Sequence, residues 1–235
     1  DGIRDLVRSR GLGDVYKRQE EEYKPNSIKT KKGYLAAVFS ALITNDRVNT
    51  SNPFKDVKYS VKTPLAEQRR SFTDEEIRLI HQKYPQVFWM IMTGLRSGEY
   101  FSRLYQDLHG QMLTIDRQPS KADWRPKTPS SYRRLPVPKD FELTPHKIMV
   151  SSKTTMLARE LSKDIPDPTA TVHSARHTFH SISRRADCND SVIKAITGHA
   201  KKEDSRVAQS YGLFADDVLL REAQKVWTFI ENLLG

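Results

Sequence analysis

The sequence predicts a mainly α protein with one small antiparallel β-sheet, an α+β chain. Three observations carry this. Most apolar residues recur at helical spacing behind recognisable caps. Only two short runs, residues 112–115 and 132–137, read as strands. The polar stretch between them suits a hairpin connection, which pairs strands antiparallel.

At 235 residues the chain can build one sizeable core, or one domain and a smaller piece. It holds 39 Lys and Arg against 29 Asp and Glu, a formal charge of +10. Such an excess favours a polyanionic partner, because basic side chains release counterions from nucleic-acid phosphates. Cys188 is the sole cysteine, which rules out an intrachain disulfide and a thiolate metal site and suits a reducing cytoplasm. The apolar run at 87–92 is too short to span a bilayer. No signal-peptide pattern and no internal repeat are visible.

Residues 1–19 show no helical or strand periodicity that continues past residue 20. They resemble translated sequencing-library adapter, and the competing reading is a basic arm that touches DNA. The adapter reading predicts a non-native leader and a natural protein that began further upstream.

Asn26 or Ser27 can cap a helix over residues 26–46. Leu35, Val38, Phe39, Leu42 and Ile43 make its apolar face, with Lys29, Lys31 and Lys32 near its start. That face needs a partner. Asn52-Pro53-Phe54 stops the helical region, and a basic stretch with Lys55, Lys58, Lys62, Arg69 and Arg70 reads as a linker.

Thr73 and Glu76 form a capping box, with Phe72 and Ile77 placed for a hydrophobic staple, so a helix is predicted over 74–83. A more apolar helix, 86–93, comes next and should be buried. Gly94 then lets the backbone turn tightly before a helix restarts. Arg96 leaves that restart in apolar surroundings, where its charge must pair or bind an anion. Glu99, three residues on, can orient it, and a plain i,i+3 ion pair explains the two equally well.

Lys127 lies in the polar connection between the two strands, and Lys121 competes with it as a ligand-reaching lysine. An amphipathic helix is predicted over 154–163. Pro166 and Pro168 punctuate a loop. From Ser174 a helix runs to about residue 186. His173 precedes its first turn and Arg176 lies within it, so both can address one spot near amides that favour an anion. Asp190 is expected to cap a helix over 191–197, with Gly198 at its C′ position. His199 leaves that end, and Tyr211 lies twelve residues later. The final helix, 216–234, carries Leu219, Ala223, Val226, Trp227, Ile230 and Leu234 on one face. It could pack on its own domain or exchange to a neighbour, and exchange is the favoured expectation.

In order, these pieces resemble the tyrosine recombinase (phage integrase) family. Thr93-Gly94-Leu95-Arg96 with Glu99 looks like its first arginine box. Lys127-Thr128, with Arg133, Arg134 and Pro136 after it, looks like its β-hairpin lysine. His173-Ser174-Ala175-Arg176-His177-Thr178-Phe179 looks like its second box. Gly198-His199 and Tyr211 look like its last histidine and its nucleophile. The match covers residues 25–235. The gap from His199 to Tyr211 is longer than is common, and Ala175 stands where a larger apolar residue is usual; no other tyrosine comes after His199.

The resemblance implies the tyrosine recombinase catalytic-domain fold over 65–235, with 20–64 the remnant of a helical core-binding domain and its linker. It implies a site-specific recombinase in which Arg96, Lys127, His173, Arg176, His199 and Tyr211 are catalytic and Glu99 supports them. Lys29, Lys31, Lys32, Lys121 and Arg125 are further candidates for DNA contact. Metal-free phosphodiester transfer needs a nucleophile, a proton donor and cations for the developing charge, which this set supplies. No cofactor, metal or ATP is expected. The implied partner is double-stranded DNA, bound by a homotetramer on two sites, with accessory DNA-bending or directionality proteins and no membrane. The expected location is a bacterial cytoplasm, at the nucleoid. An inactive DNA-binding protein of the same fold and a type IB topoisomerase are the competing readings.

Overall fold

The computed structural model describes residues 25–45, 47–55, 69–116, 132–144, 150–199 and 214–235. The chain divides into two compact units, residues 1–68 and 69–235.

The described part of the smaller unit is helix α1, Pro25–Thr44, and the segment after it. Proline lacks an N–H and suits a first helical position. The helix therefore starts ahead of the cap expected at Asn26 or Ser27. Asn52 folds back on α1, its Nδ2 donating to the Ala36 carbonyl at 2.7 Å and to Ser40 Oγ at 2.8 Å. This places the Phe54 ring edge-on to Phe39, with centroids 5.7 Å apart. Of the rest of the expected apolar face, Leu35, Val38 and Leu42 are exposed and Ile43 is half-buried.

The larger unit opens with α2, Asp74–Lys83, which carries the full Thr73/Glu76 capping box. Phe72 and Ile77 are both buried in the core. Helix α3, Pro85–Thr93, is buried along most of its length, as its composition predicts, and ends in a left-handed Gly94. A short α4, Ser97–Ser102, leads through a 3-10 turn at Tyr105–Asp107 into the sheet. Its strands are β1, Leu108–His109, β2, Met112–Ile115, and β3, Arg133–Pro136. All pair antiparallel in the order β1-β2-β3, with Leu113 opposite Leu135. Strand β1 is too short for its pattern to show in the sequence, and β3 is a residue shorter at each end than the run that predicts it. The buried Arg103 guanidinium ties the end of α4 to β2, donating to the carbonyls of Thr114 and Asp116 at 3.1 and 3.0 Å.

Helix α5, Val150–Asp164, packs on α4 and begins before the predicted 154. Helices α6, Ser174–Arg185, and α7, Asp190–Thr197, come next. The cap of α7 is Asn189, whose side chain accepts from the amides of Ser191 and Val192. Asp190, the expected cap, instead sits in the first turn and pairs with Lys194 at 2.6 Å.

Helix α8, Asp216–Leu234, packs on α3, α6, α7 and β3 of its own unit. Its apolar face buries Leu219, Ala223, Val226, Trp227 and Ile230, and the Trp227 indole N–H donates to the Met92 carbonyl at 2.8 Å. The face expected to exchange to a neighbour is thus filled in cis. Burying an indole both apolarly and through its one donor leaves little reason for it to leave.

Candidate active site

The site forms where the Gly94 turn, strand β3 and the facing ends of α6 and α7 meet. Gly94 adopts φ +67°. A Cβ there would lie 2.8 Å from Phe179 and 2.9 Å from Thr197. Only glycine combines this backbone conformation with that closeness. The turn directs the Gly94 carbonyl at Arg176, whose Nη1 donates to it at 2.8 Å.

Arg176 is buried on α6. Besides Gly94, its Nη2 donates to the Thr197 carbonyl and contacts His199 Nδ1 at 3.1 Å. A guanidinium has five N–H bonds. These three contacts leave two for a ligand among the described residues. Burial, then the nearby Arg96 and Arg133, push its pKa down to about 9, which leaves it charged at neutral pH.

Arg96 is the N-terminal cap of α4 and stays 29% exposed. Its Nη1 donates to Glu99 Oε1 at 2.7 Å, and its backbone amide to Glu99 Oε2 at 3.0 Å. The i,i+3 pair anticipated from sequence is therefore present. It does not neutralise the site, because Glu99 also takes both Nη atoms of Arg133, at 3.1 and 3.0 Å. Burial acts most strongly on Glu99 and would raise its pKa. The Arg133 pair, with Arg96 behind it, outweighs that and holds the carboxyl at about 2.

Arg133 also donates from Nε to the Ile196 carbonyl at 2.6 Å, so one side chain ties β3 to α4 and to the end of α7. Sequence reasoning placed Arg133 only as part of the hairpin pattern. The near-complete burial of its side chain, 5% exposed, is what marks it as a pillar, and such burial is not visible in a strand of four residues.

The imidazoles are the third component. His173 stands just before α6, with its ring edge-on to His177 at 5.1 Å between centroids. Burial, then the positive field of Arg69, His177, Arg176 and Arg96, lowers its pKa to about 4. His199 emerges beyond left-handed Gly198, the C-terminal cap predicted for α7. Burial and the field of Arg176, Arg96 and Arg133 lower it to about 4. His180, not singled out in the sequence, places its Nε2 3.1 Å from His199 Nδ1.

Arg96, Glu99, His173, Arg176 and His199 are thus in one neighbourhood, linked by hydrogen bonds or by mutual electrostatic influence. Lys29 and Lys31 are exposed and Lys32 is half-buried on α1, in the other unit. Lys121, Arg125, Lys127 and Tyr211 lie outside the described residues, as do residues 1–19 and most of the basic linker. Among the described residues no group of three or more His, Cys, Asp or Glu is placed to hold a metal ion. No described helix is long and apolar enough to cross a membrane.

With histidines neutral, the three guanidiniums Arg96, Arg133 and Arg176 and the one carboxylate Glu99 leave two net positive charges among these described residues, in a largely desolvated spot. Such an excess is stable only beside an anion or water, and the geometry suits a phosphate oxygen.

The fold is that of the tyrosine recombinase catalytic domain. The Tn1549 transposon integrase in complex with transposon right end DNA matches with a TM-score of 0.54 at 19% identity, over 84% of this chain and 83% of that one. The same integrase with a circular intermediate DNA matches at 0.51 and 20% identity, over 83% and 82%. In sequence, a protein described as "Putative integrase" from Pseudomonas phage Pf1 is 25% identical over 199 residues. The match takes in 78% of this chain and 57% of the relative, so the chain spans a little over half of that relative's length. No family model matches the sequence.

Proposed function

We propose that this chain is a site-specific DNA recombinase, an integrase of a phage or other mobile element, that cuts and rejoins DNA through a 3′-phosphotyrosyl intermediate. The observation that carries the reading is the Arg96–Glu99–Arg133 and Arg176 arrangement. Among the described residues it sets three guanidiniums against one carboxylate at one spot, with neutral imidazoles beside them.

In this reading the scissile phosphate takes the remaining N–H bonds of Arg176 and Arg96. The Tyr211 hydroxyl attacks phosphorus, its proton passing to His173, and the 5′ oxygen leaves with a proton from Lys127. Neutral His173 is in the form that accepts a proton, and a bound phosphate opposes the field that lowers its pKa. His199 donates a hydrogen bond to a non-bridging oxygen. The new phosphotyrosyl bond replaces the broken phosphodiester one for one, so a second strand's 5′ hydroxyl can reverse the step. The arginines supply the charge stabilisation, and no step calls for a metal ion or ATP.

The roles of Lys127 and Tyr211 rest on the sequence resemblance. So do the division into a core-binding part, 20–64, and a catalytic domain, 65–235, and contacts to DNA by Lys29, Lys31, Lys32, Lys121 and Arg125. A homotetramer on two DNA sites, helped by accessory DNA-bending or directionality proteins in a bacterial cytoplasm, completes the reading. The likeness to integrases in complex with DNA supports DNA as the partner.

The test is a nicked duplex carrying the attachment site from the flanking genomic DNA. The chain should be trapped on it as a covalent adduct on a denaturing gel. DNA binding without any adduct would mean a binding protein, and relaxation of plasmids lacking the site would mean a topoisomerase.

A further inference from the structure

His180 belongs to this neighbourhood but has no part in the proposed chemistry. His180 lies one helical turn after Arg176 on α6, so the two share a face. Its Nε2 is 3.1 Å from His199 Nδ1, and the ring centroids are 4.9 Å apart. The same Nδ1 is 3.1 Å from Arg176 Nη2 and 3.3 Å from Thr197 Oγ1.

These contacts assign the hydrogens. A guanidinium can only donate, so His199 Nδ1 accepts from Arg176 and carries no proton. The Thr197 hydroxyl gives its proton to the Ile193 carbonyl at 2.8 Å, so it is not a second donor to Nδ1. His180 Nε2 therefore faces a lone pair. The contact is attractive only when that Nε2 bears a hydrogen; two lone pairs would repel. With Nδ1 occupied by donors, the proton of neutral His199 sits on its Nε2.

We propose that His180 is a positioning residue: together with Arg176 it locks His199 in the neutral Nε2–H form, so that His199 offers a phosphate a donor and acts neither as base nor as acid. The identity of the phosphate rests on the integrase reading, while the lock itself stands on geometry alone.

The charges around the pair agree. Protonating His180 is opposed by burial, then by His199, Arg176, Arg184 and His177, and its pKa falls to about 3. Among the described residues Asp190, at the start of α7, is an acidic group it influences, and Lys194 already pairs with that carboxylate. Protonating His199 is opposed from α6 by Arg176 and His177, from the α4 cap by Arg96 and from β3 by Arg133. A proton on either ring would put a cation against this cluster and break the lock.

The test uses histidine side-chain 15N NMR on the full chain, then single-turnover adduct formation. Wild-type His199 should show the neutral Nε2–H pattern from pH 8 to 5. His180→Ala should let His199 sample both tautomers and titrate nearer 6.5, the ordinary histidine value. Its adduct rate should drop about tenfold, by analogy with the low end of what losing the outer partner of a metal-bound histidine costs. His180→Gln, whose amide nitrogen sits where Nε2 does, should restore both readouts. A merely space-filling role predicts that Gln and Ala behave alike. That result, or an Nδ1–H or freely titrating His199 in the wild type, would overturn the proposal. A wild-type chain with locked His199 that never forms an adduct would support the lock and count against the integrase reading.

Discussion

Arg133 grips Glu99 with both Nη atoms, at 3.1 and 3.0 Å, while the same carboxylate holds Arg96 at 2.7 Å. One buried anion thus joins a strand to the start of a helix and aims a second guanidinium outward. Removing one partner of a buried pair leaves the other uncompensated, which costs about 3–5 kcal/mol. Arg133→Ala should lose stability on that scale in urea unfolding, and should lose adduct formation as well. Arg133→Lys should recover only part, because an ammonium cannot span both carboxylate oxygens and the Ile196 carbonyl.

Acid sensitivity arises from the same carboxyl. Its folded pKa of about 2 lies below the ordinary value of 4.5. The unfolded chain therefore binds the proton more readily, and the stability Glu99 confers is present above about pH 4.5 and lost as pH falls toward 2. The shift corresponds to about 3 kcal/mol. Glu99→Gln should flatten that part of the stability–pH curve; an unchanged slope would contradict the assignment.

A second acid limb should appear earlier. His173, His180 and His199 all have folded pKa values depressed to about 4, 3 and 4. Unfolded histidines protonate near 6.5. Stability should thus begin to fall as pH drops below about 6.5 and keep falling toward 4, before most carboxylates titrate. A thermal midpoint that stays flat from pH 7 to 5 would contradict these environments.

Gly94→Ala tests the turn. The new Cβ meets Phe179 and Thr197 inside 3 Å at φ +67°. Left-handed strain for a non-glycine residue costs about 1–3 kcal/mol, before the clash is counted. The substitution should destabilise the larger unit and weaken phosphate binding, because the Gly94 carbonyl is an anchor of Arg176.

Much of the fold and site was legible in the sequence because it is written locally. Thr73 and Glu76, the glycines at 94 and 198, and the three-residue spacing of His173 and Arg176 are short-range signals with fixed geometric meaning. What escaped depends on burial and on partners distant in sequence. Asn189 rather than Asp190 caps α7, since both residue types cap well and the chain's path decides between them. Arg133 became a pillar only once its strand met α7, sixty-three positions away. His180 looked like any helical histidine until Gly198 turned His199 back onto it. The cis packing of α8 depends on the Met92 carbonyl receiving Trp227, which an amphipathic pattern does not specify.

Transition-state charge should rest most heavily on Arg176. Losing one such donor costs about 3–4 kcal/mol, or about 10²–10³-fold in rate. Arg176→Lys should therefore slow adduct formation by that factor while binding of the duplex changes far less. Equal losses in both would mean that the residue serves binding and not the reaction.

Everything proposed for the site converges on Tyr211 becoming joined to a 3′ phosphate. Adduct trapped on a nicked duplex, digested with protease and nuclease and sequenced by mass spectrometry, should carry its nucleotide on Tyr211 through the phenolic oxygen, with a free 5′ hydroxyl on the departing strand. A nucleotide on any other residue, a 5′ linkage, or an adduct that survives in Tyr211→Phe would contradict it.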